Sequence, residues 1–191
     1  MSSSGFLHDR FGVVLDACVL YPPTLRDTLL RAAEGGLYRV HWSDEILDEL
    51  RRNIIAKGNV SEVDAQDLID EMRGYFKEAT VTGYEPLLSA MANDEKDRHV
   101  LAAAVRAGAE VIVTDNNRHF PAHALDPFNV EAQTADVFLT HLFHLYPGVM
   151  ERIVQQQAAD YRSPPRTVED VLGRLTKIAP LFAELVRQRL G

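Results

Sequence analysis

Four short stretches place acidic side chains where chemistry would need them. "FGVVLDACVL" (11–20) ends an apolar, β-branched run on Asp16, and "WSDEILDEL" (42–50) carries Glu45 and Glu49. "NDEKDRHVLAAAV" (93–105) carries Asp97, and "VIVTDNNRHFP" (111–121) carries Asp115 and Asn116. A carboxylate at the end of a buried strand is costly unless it is paired or coordinated. Three or four such groups at one point raise one another's pKa and stay ionised together only around a cation. No Cys or His ligand set accompanies them, so the ion they suit is Mg²⁺ or Mn²⁺. Carboxylates with such an ion suit hydrolysis of a phosphodiester, in which the metal activates water and offsets charge on the phosphoryl oxygens.

These residues need elements to carry them. Residues 11–16 have the length and branching of a short buried strand, stopped by Pro22-Pro23, and 24–36 follows as a helix closed by Gly35-Gly36. Residues 37–42 read as a second strand. Ser43 is a helix N-cap with Asp44 and Glu45 in the first turn. Glu49 lies on that helix, and periodicity alone leaves its direction open. Residues 61–76 form another helix with Val63, Leu68, Met72 and Phe76 inward, and 79–83 a short strand. A helix over 94–109, ended by Gly108, leads into the strand 110–114; 128–131 is a last short strand and 134–146 a helix.

Alternating strands and helices with crossovers imply an α/β fold, a three-layer α/β/α sandwich with a central parallel sheet. Ligands in such sheets bind beyond the carboxyl ends of the strands. Asp16 and Asp115 both fall at strand ends, and Asp97 starts the helix leading into the second of those strands. Asp94 reads as a cap, and His119 beside Arg118 as either a phosphate contact or a loop pair.

The chain's 191 residues, 46% apolar and 25% charged, suffice for one good core. The net charge of −8 argues at first against a nucleic-acid partner. The excess is local, however: residues 44–97 hold 14 acids and 6 bases, whereas the two flanks are balanced. That middle is either a solvated helical face or a source of ligands for a hard cation. Pro147-Gly148 reads as a boundary between a domain over 1–146 and a helical C-terminal extension over 147–191. In the extension, Thr167 with Asp170 resembles a capping box and Pro180 breaks the helix. No apolar run reaches membrane-spanning length, "MSSSGFLHDR" shows no export signal, and Cys18 is the single cysteine. A reducing cytoplasm is the expected location.

The four stretches, in this order, resemble the PIN-domain ribonucleases, most closely toxins of the VapC type from bacterial toxin–antitoxin pairs. The resemblance runs over about residues 11–146, and the helical tail is similar to the extension some of these toxins carry. It implies a Mg²⁺- or Mn²⁺-dependent endoribonuclease, the toxin of a type II pair, with RNA as substrate, a cognate antitoxin as partner, and a homodimer. Carried over by position, it assigns Asp16, Glu49 and Asp97 to the metal and the catalytic set. The fourth position is open between Asp115, as a ligand, and Asn116, holding a water. Cys18 stands where many members have Ser or Asn, and a thiol is a poorer hydrogen-bond partner. These two departures carry an alternative, a catalytically inactive PIN-like module that binds RNA or protein. A haloacid-dehalogenase type of phosphohydrolase is disfavoured, because it expects a second Asp where Cys18 stands.

Overall fold

The computed structural model describes residues 10–58 and 60–191. Residues 1–9 of the stretch read for an export signal, 1–10, lie outside them. Five strands make one parallel sheet in the order β3-β2-β1-β4-β5. They are β1 (Gly12–Leu15), β2 (Arg39–Ser43), β3 (Thr80–Val81), β4 (Val111–Val113) and β5 (Glu131–Gln133). The helices are α1 (Ala17–Leu20), α2 (Pro23–Glu34), α3 (Asp44–Gly58), α4 (Glu62–Tyr75), α5 (Arg98–Ala107), α6 (Ala122–Leu125) and α7 (Ala135–Leu145). The tail adds α8 (Pro147–Asp160), α9 (Val168–Leu175) and α10 (Pro180–Leu190).

Strand β1 is the centre of the molecule. Val13, Val14 and Leu15 are fully buried, as a parallel strand covered on both faces must be. It pairs with β2 on one side and with β4 on the other, Leu15 opposite Val113. The chain winds outward from β1 to β2 and β3, then returns to the far side of β1 for β4 and β5. That reversal makes the carboxyl ends of β1 and β4 a topological switch point, where the first turns after two neighbouring strands diverge and leave a crevice.

Local signals account for most boundaries. The Ser43 hydroxyl accepts from the Ile46 amide at 3.2 Å, Ser61 from Asp64 at 3.1 Å and Thr134 from Val137 at 3.3 Å, each opening a helix. Gly108 ends α5 at φ +62°, a conformation that costs glycine nothing. Trp42 is fully buried, with the Phe76 ring edge-on at 5.8 Å.

Four expectations are corrected. The first strand ends where expected, but helix α1, beginning at Ala17, stops it rather than Pro22-Pro23. The helix expected over 94–109 opens as a 3-10 turn, Glu95–Asp97, before α5. Val63 is 69% exposed, because the inward stripe of α4 is phased on Ala65, Ile69 and Met72. The last strand lies over 131–133 rather than 128–131. Asp126–Phe128 form a 3-10 turn and Asn129 takes a positive φ of 53°, so pairing with β4 starts only at Glu131.

The tail packs on the sheet domain through specific contacts. Gln157 on α8 is fully buried; its amide nitrogen donates to the Thr24 carbonyl at 2.9 Å and its oxygen accepts from the Thr28 hydroxyl at 2.8 Å. Asp136, in the first turn of α7, accepts from the amides of Leu181 and Phe182 at 3.2 and 2.9 Å, capping α10. Phe143 meets Phe182 edge-on at 6.3 Å. Thr167 and Asp170 form a reciprocal capping box at the start of α9, and the helix breaks before Pro180, which opens α10. No helix among the described residues is long and apolar enough to cross a membrane.

Because Gln157 joins tail to domain inside the core, Gln157→Ala should lower unfolding stability by about 1–3 kcal/mol. Urea unfolding followed by the fluorescence of Trp42, the single tryptophan, checks it; the transition should shift as one step.

Candidate active site

The site is built where β1 and β4 end. Asp16 follows β1 directly and is only 2% exposed. Its backbone amide donates to the Val113 carbonyl at 3.1 Å, continuing the β1–β4 ladder to the residue itself. It stands at the N-cap of α1, yet its side chain caps nothing there. One carboxylate oxygen, Oδ2, instead accepts from the Thr114 hydroxyl at 2.7 Å and from the Cys18 thiol at 3.2 Å. Thr114 has one hydroxyl proton and gives it to Asp16, while its oxygen accepts from the Asn116 amide at 3.0 Å. Cys18 in turn accepts from the Asp115 amide at 3.3 Å. Oδ1 of Asp16 takes no hydrogen bond among the described residues.

Burial pushes the Cys18 thiol up to about 12, and the Asp16 charge adds to the effect. The sulfur therefore keeps its proton and serves as a donor to Asp16, not as a nucleophile. A thiol is the weaker partner here, and Thr114 makes the shorter bond.

Glu49 reaches the same point from the second turn of α3, with its side chain 42% exposed. Its carboxyl is raised above the usual value by partial burial, then by Asp16 and, more weakly, by Asp97, with His99 pulling the other way. Asp115 is exposed, yet its carboxyl is also raised, by lost hydration and by Asp16, against the pull of the Ala135 amide at the start of α7. The fold thus brings Glu49 within electrostatic reach of both Asp16 and Asp97, and Asp115 within reach of Asp16. Asn116 begins the 3-10 turn Asn117–His119, and its side chain caps nothing.

Asp97 is 8% exposed, at the junction of the Glu95–Asp97 turn and α5. Among the described residues, the acidic and histidine side chains whose ligand atoms pack within 4.8 Å of one another are Asp94, Asp97 and His119. Asp16, Glu49 and Asp115 do not join that group. Asp94 caps the turn, its Oδ1 accepting from the Lys96 amide at 3.1 Å, as its sequence position suggests. His119 Nδ1 sits 2.5 Å from Asp97 Oδ2.

Two histidines at the site escape a reading by spacing. His119 is not a free loop residue, but its partner lies 22 positions away, and no local pattern announces that. His99 is buried between two acids of α3, with Nδ1 3.9 Å from Glu45 and Nε2 3.9 Å from Glu49. The signal for His99 was present: the helix "RHVLAAAV" is apolar on nearly every side, so a polar residue within it is enclosed.

A family model described as "PIN domain" matches residues 12–118, more than half of the chain. The chain belongs to the PIN-domain family. A second model, "VapC50 C-terminal domain", matches residues 135–188, so the tail has a counterpart in known proteins as well. Over 106 residues the chain is 43% identical to "Putative ribonuclease VapC50" of Mycobacterium tuberculosis (strain ATCC 25618 / H37Rv). That alignment covers 56% of this chain and 63% of the relative. No solved structure gives a significant match.

The direction of the Glu49 shift yields a pH test. The native PIN domain holds the Glu49 proton more tightly than the unfolded chain, whose carboxyl titrates near the ordinary 4.5. The charged form therefore costs native stability, fully above the raised value and not at all below 4.5. In EDTA at pH 7, Glu49→Gln should raise the thermal midpoint by about 1–2 °C. Differential scanning calorimetry should show the gain disappear below pH 4.5.

Proposed function

We propose that this PIN domain is a divalent-metal-dependent endoribonuclease, the toxin of a type II toxin–antitoxin pair, working in the cytoplasm. The reading is supported by Glu49 lying within electrostatic reach of Asp16, at the switch point of the sheet, and of Asp97, so that acids carried by three separate elements face one another. The fit to a hard ion rests on the donor chemistry. The available groups are carboxylate oxygens, and the one nearby sulfur is protonated and engaged with Asp16.

Asp16, Glu49 and Asp97 would hold the ion, with Asp115 as a further ligand or Asn116 holding a water. Bound there, Mg²⁺ or Mn²⁺ would activate water and offset charge on the phosphoryl oxygens. Thr114 and Cys18 keep Oδ2 of Asp16 engaged, which presents Oδ1 in a fixed direction. In the same reading the nuclease unit spans 1–146 and the extension 147–191. Helix α7 links them, since its first turn faces Asp115 and also caps α10. A small antitoxin and a second copy of the chain are the proposed protein partners; co-expression with the neighbouring reading frame and sizing would test both.

The direct test is cleavage of structured RNAs by the purified chain. Activity should require Mg²⁺ or Mn²⁺, vanish in EDTA, and fall by about 100-fold or more in Asp16→Asn. Equal cleavage by Asp16→Asn would end the reading. Metal-free RNA binding without cleavage would instead favour an inactive binding module.

A further inference from the structure

We infer that His119 is a positioning residue for Asp97, held in the required tautomer by Arg118. The inference rests on the proposed function, in which Asp97 is one of the acids around the ion.

The assignment follows from donors and acceptors. Arg118 Nε lies 3.2 Å from His119 Nε2, and His119 Nδ1 lies 2.5 Å from Asp97 Oδ2. A guanidinium has hydrogen-bond donors only, so His119 Nε2 accepts and carries no proton. The ring proton is then on Nδ1, and Nδ1–H donates to the Asp97 carboxylate. The result is a directed chain from Arg118 through the imidazole to Asp97.

The same atoms invite another use, because Asp94, Asp97 and His119 lie close enough to surround an ion. The hydrogen bonds argue against it. Nδ1 has a proton where a ligand needs a lone pair, and the lone pair of Nε2 faces Arg118. Asp94 Oδ1 is engaged with the Lys96 amide. Backbone bonds close the unit, with the Asp94 amide donating to the His119 carbonyl at 3.2 Å and the Asp97 amide to the Asp94 carbonyl at 3.0 Å. The group is a scaffold around Asp97, not a second centre.

Asp97 thereby repeats the arrangement of Asp16. In each, Oδ2 is held by a protein donor, two at Asp16 and one at Asp97, while Oδ1 takes no hydrogen bond among the described residues. A carboxylate fixed in this way loses less freedom when it binds a cation, and partners of this kind tune metal affinity.

Titration calorimetry of Mn²⁺ into the metal-free full chain tests the inference, with wild type, His119→Asn and His119→Ala compared. The Asn side chain keeps an N–H donor near the position of Nδ1, and Ala does not. His119→Ala should bind Mn²⁺ about 10–100-fold more weakly, whereas His119→Asn should stay within about threefold of wild type. Wild-type affinity in His119→Ala overturns the inference alone. An equal loss in both variants also overturns it, since the imidazole would then be a ligand itself. A wild-type protein that binds no Mn²⁺ overturns the proposed function and this inference with it. Imidazole ¹⁵N shifts of the wild-type protein give a check that needs no variant. Protonation on Nδ1 is expected, and protonation on Nε2 alone would overturn the assignment.

Discussion

Asp16 is an acid almost completely out of water, placed at the end of a strand whose other side chains are fully buried. An ionised carboxylate in that setting is destabilising by several kcal/mol unless donors or a cation compensate it. Most of what surrounds it can be understood as that compensation. Thr114 arrives because β4 pairs with β1 in the register that puts Leu15 opposite Val113, one residue before each polar group. Cys18 arrives because α1 begins immediately and turns its second residue back over the strand end. These donors satisfy one oxygen of Asp16, while Glu49 and Asp115, which feel its charge, are both held above the usual carboxylate range.

The likeness between Asp16 and Asp97 extends this logic. Each acid sits where a strand or turn gives way to a helix, each is nearly buried, and each has one oxygen tied to neutral donors. Neutral donors steady a carboxylate without cancelling its charge. A salt bridge to Lys or Arg would have quenched the very property the site would use. Arg118 approaches Asp97 only through the imidazole of His119, one bond removed from the carboxylate.

The sequence was informative wherever structure is decided by neighbours along the chain. Ser43, Ser61, Thr134 and Thr167 cap helices because a short hydroxyl reaches amides two or three residues ahead. The run around Val13 and that around Ile112 were legible as strands by their β-branched content. Asp16, Glu49 and Asp97 stood out because acids are conspicuous beside such runs. Legibility failed where a choice depends on distant contacts. The start of β5 is set by pairing with β4, not by the residues of "FNVE", and Val63 reads as inward only by its apolar type, since it lies off the Ala65–Ile69–Met72 stripe. The tie between His119 and Asp97 joins two loops that only the folded sheet brings together.

Strand β1 is flanked by β2 and β4, and the second of these neighbours lies about a hundred residues further along the chain. During synthesis the first acid therefore emerges long before the hydroxyl that steadies it, and the crevice has only one wall until β4 has left the ribosome. Contacts of such long sequence separation also form late in folding. A prematurely terminated chain lacking residue 114 would carry three of the acids but not the framework that aims them. Copies that stop before residue 114 lack the hydroxyl that holds Oδ2 of Asp16, so an ordered strand end belongs to the full-length sheet alone.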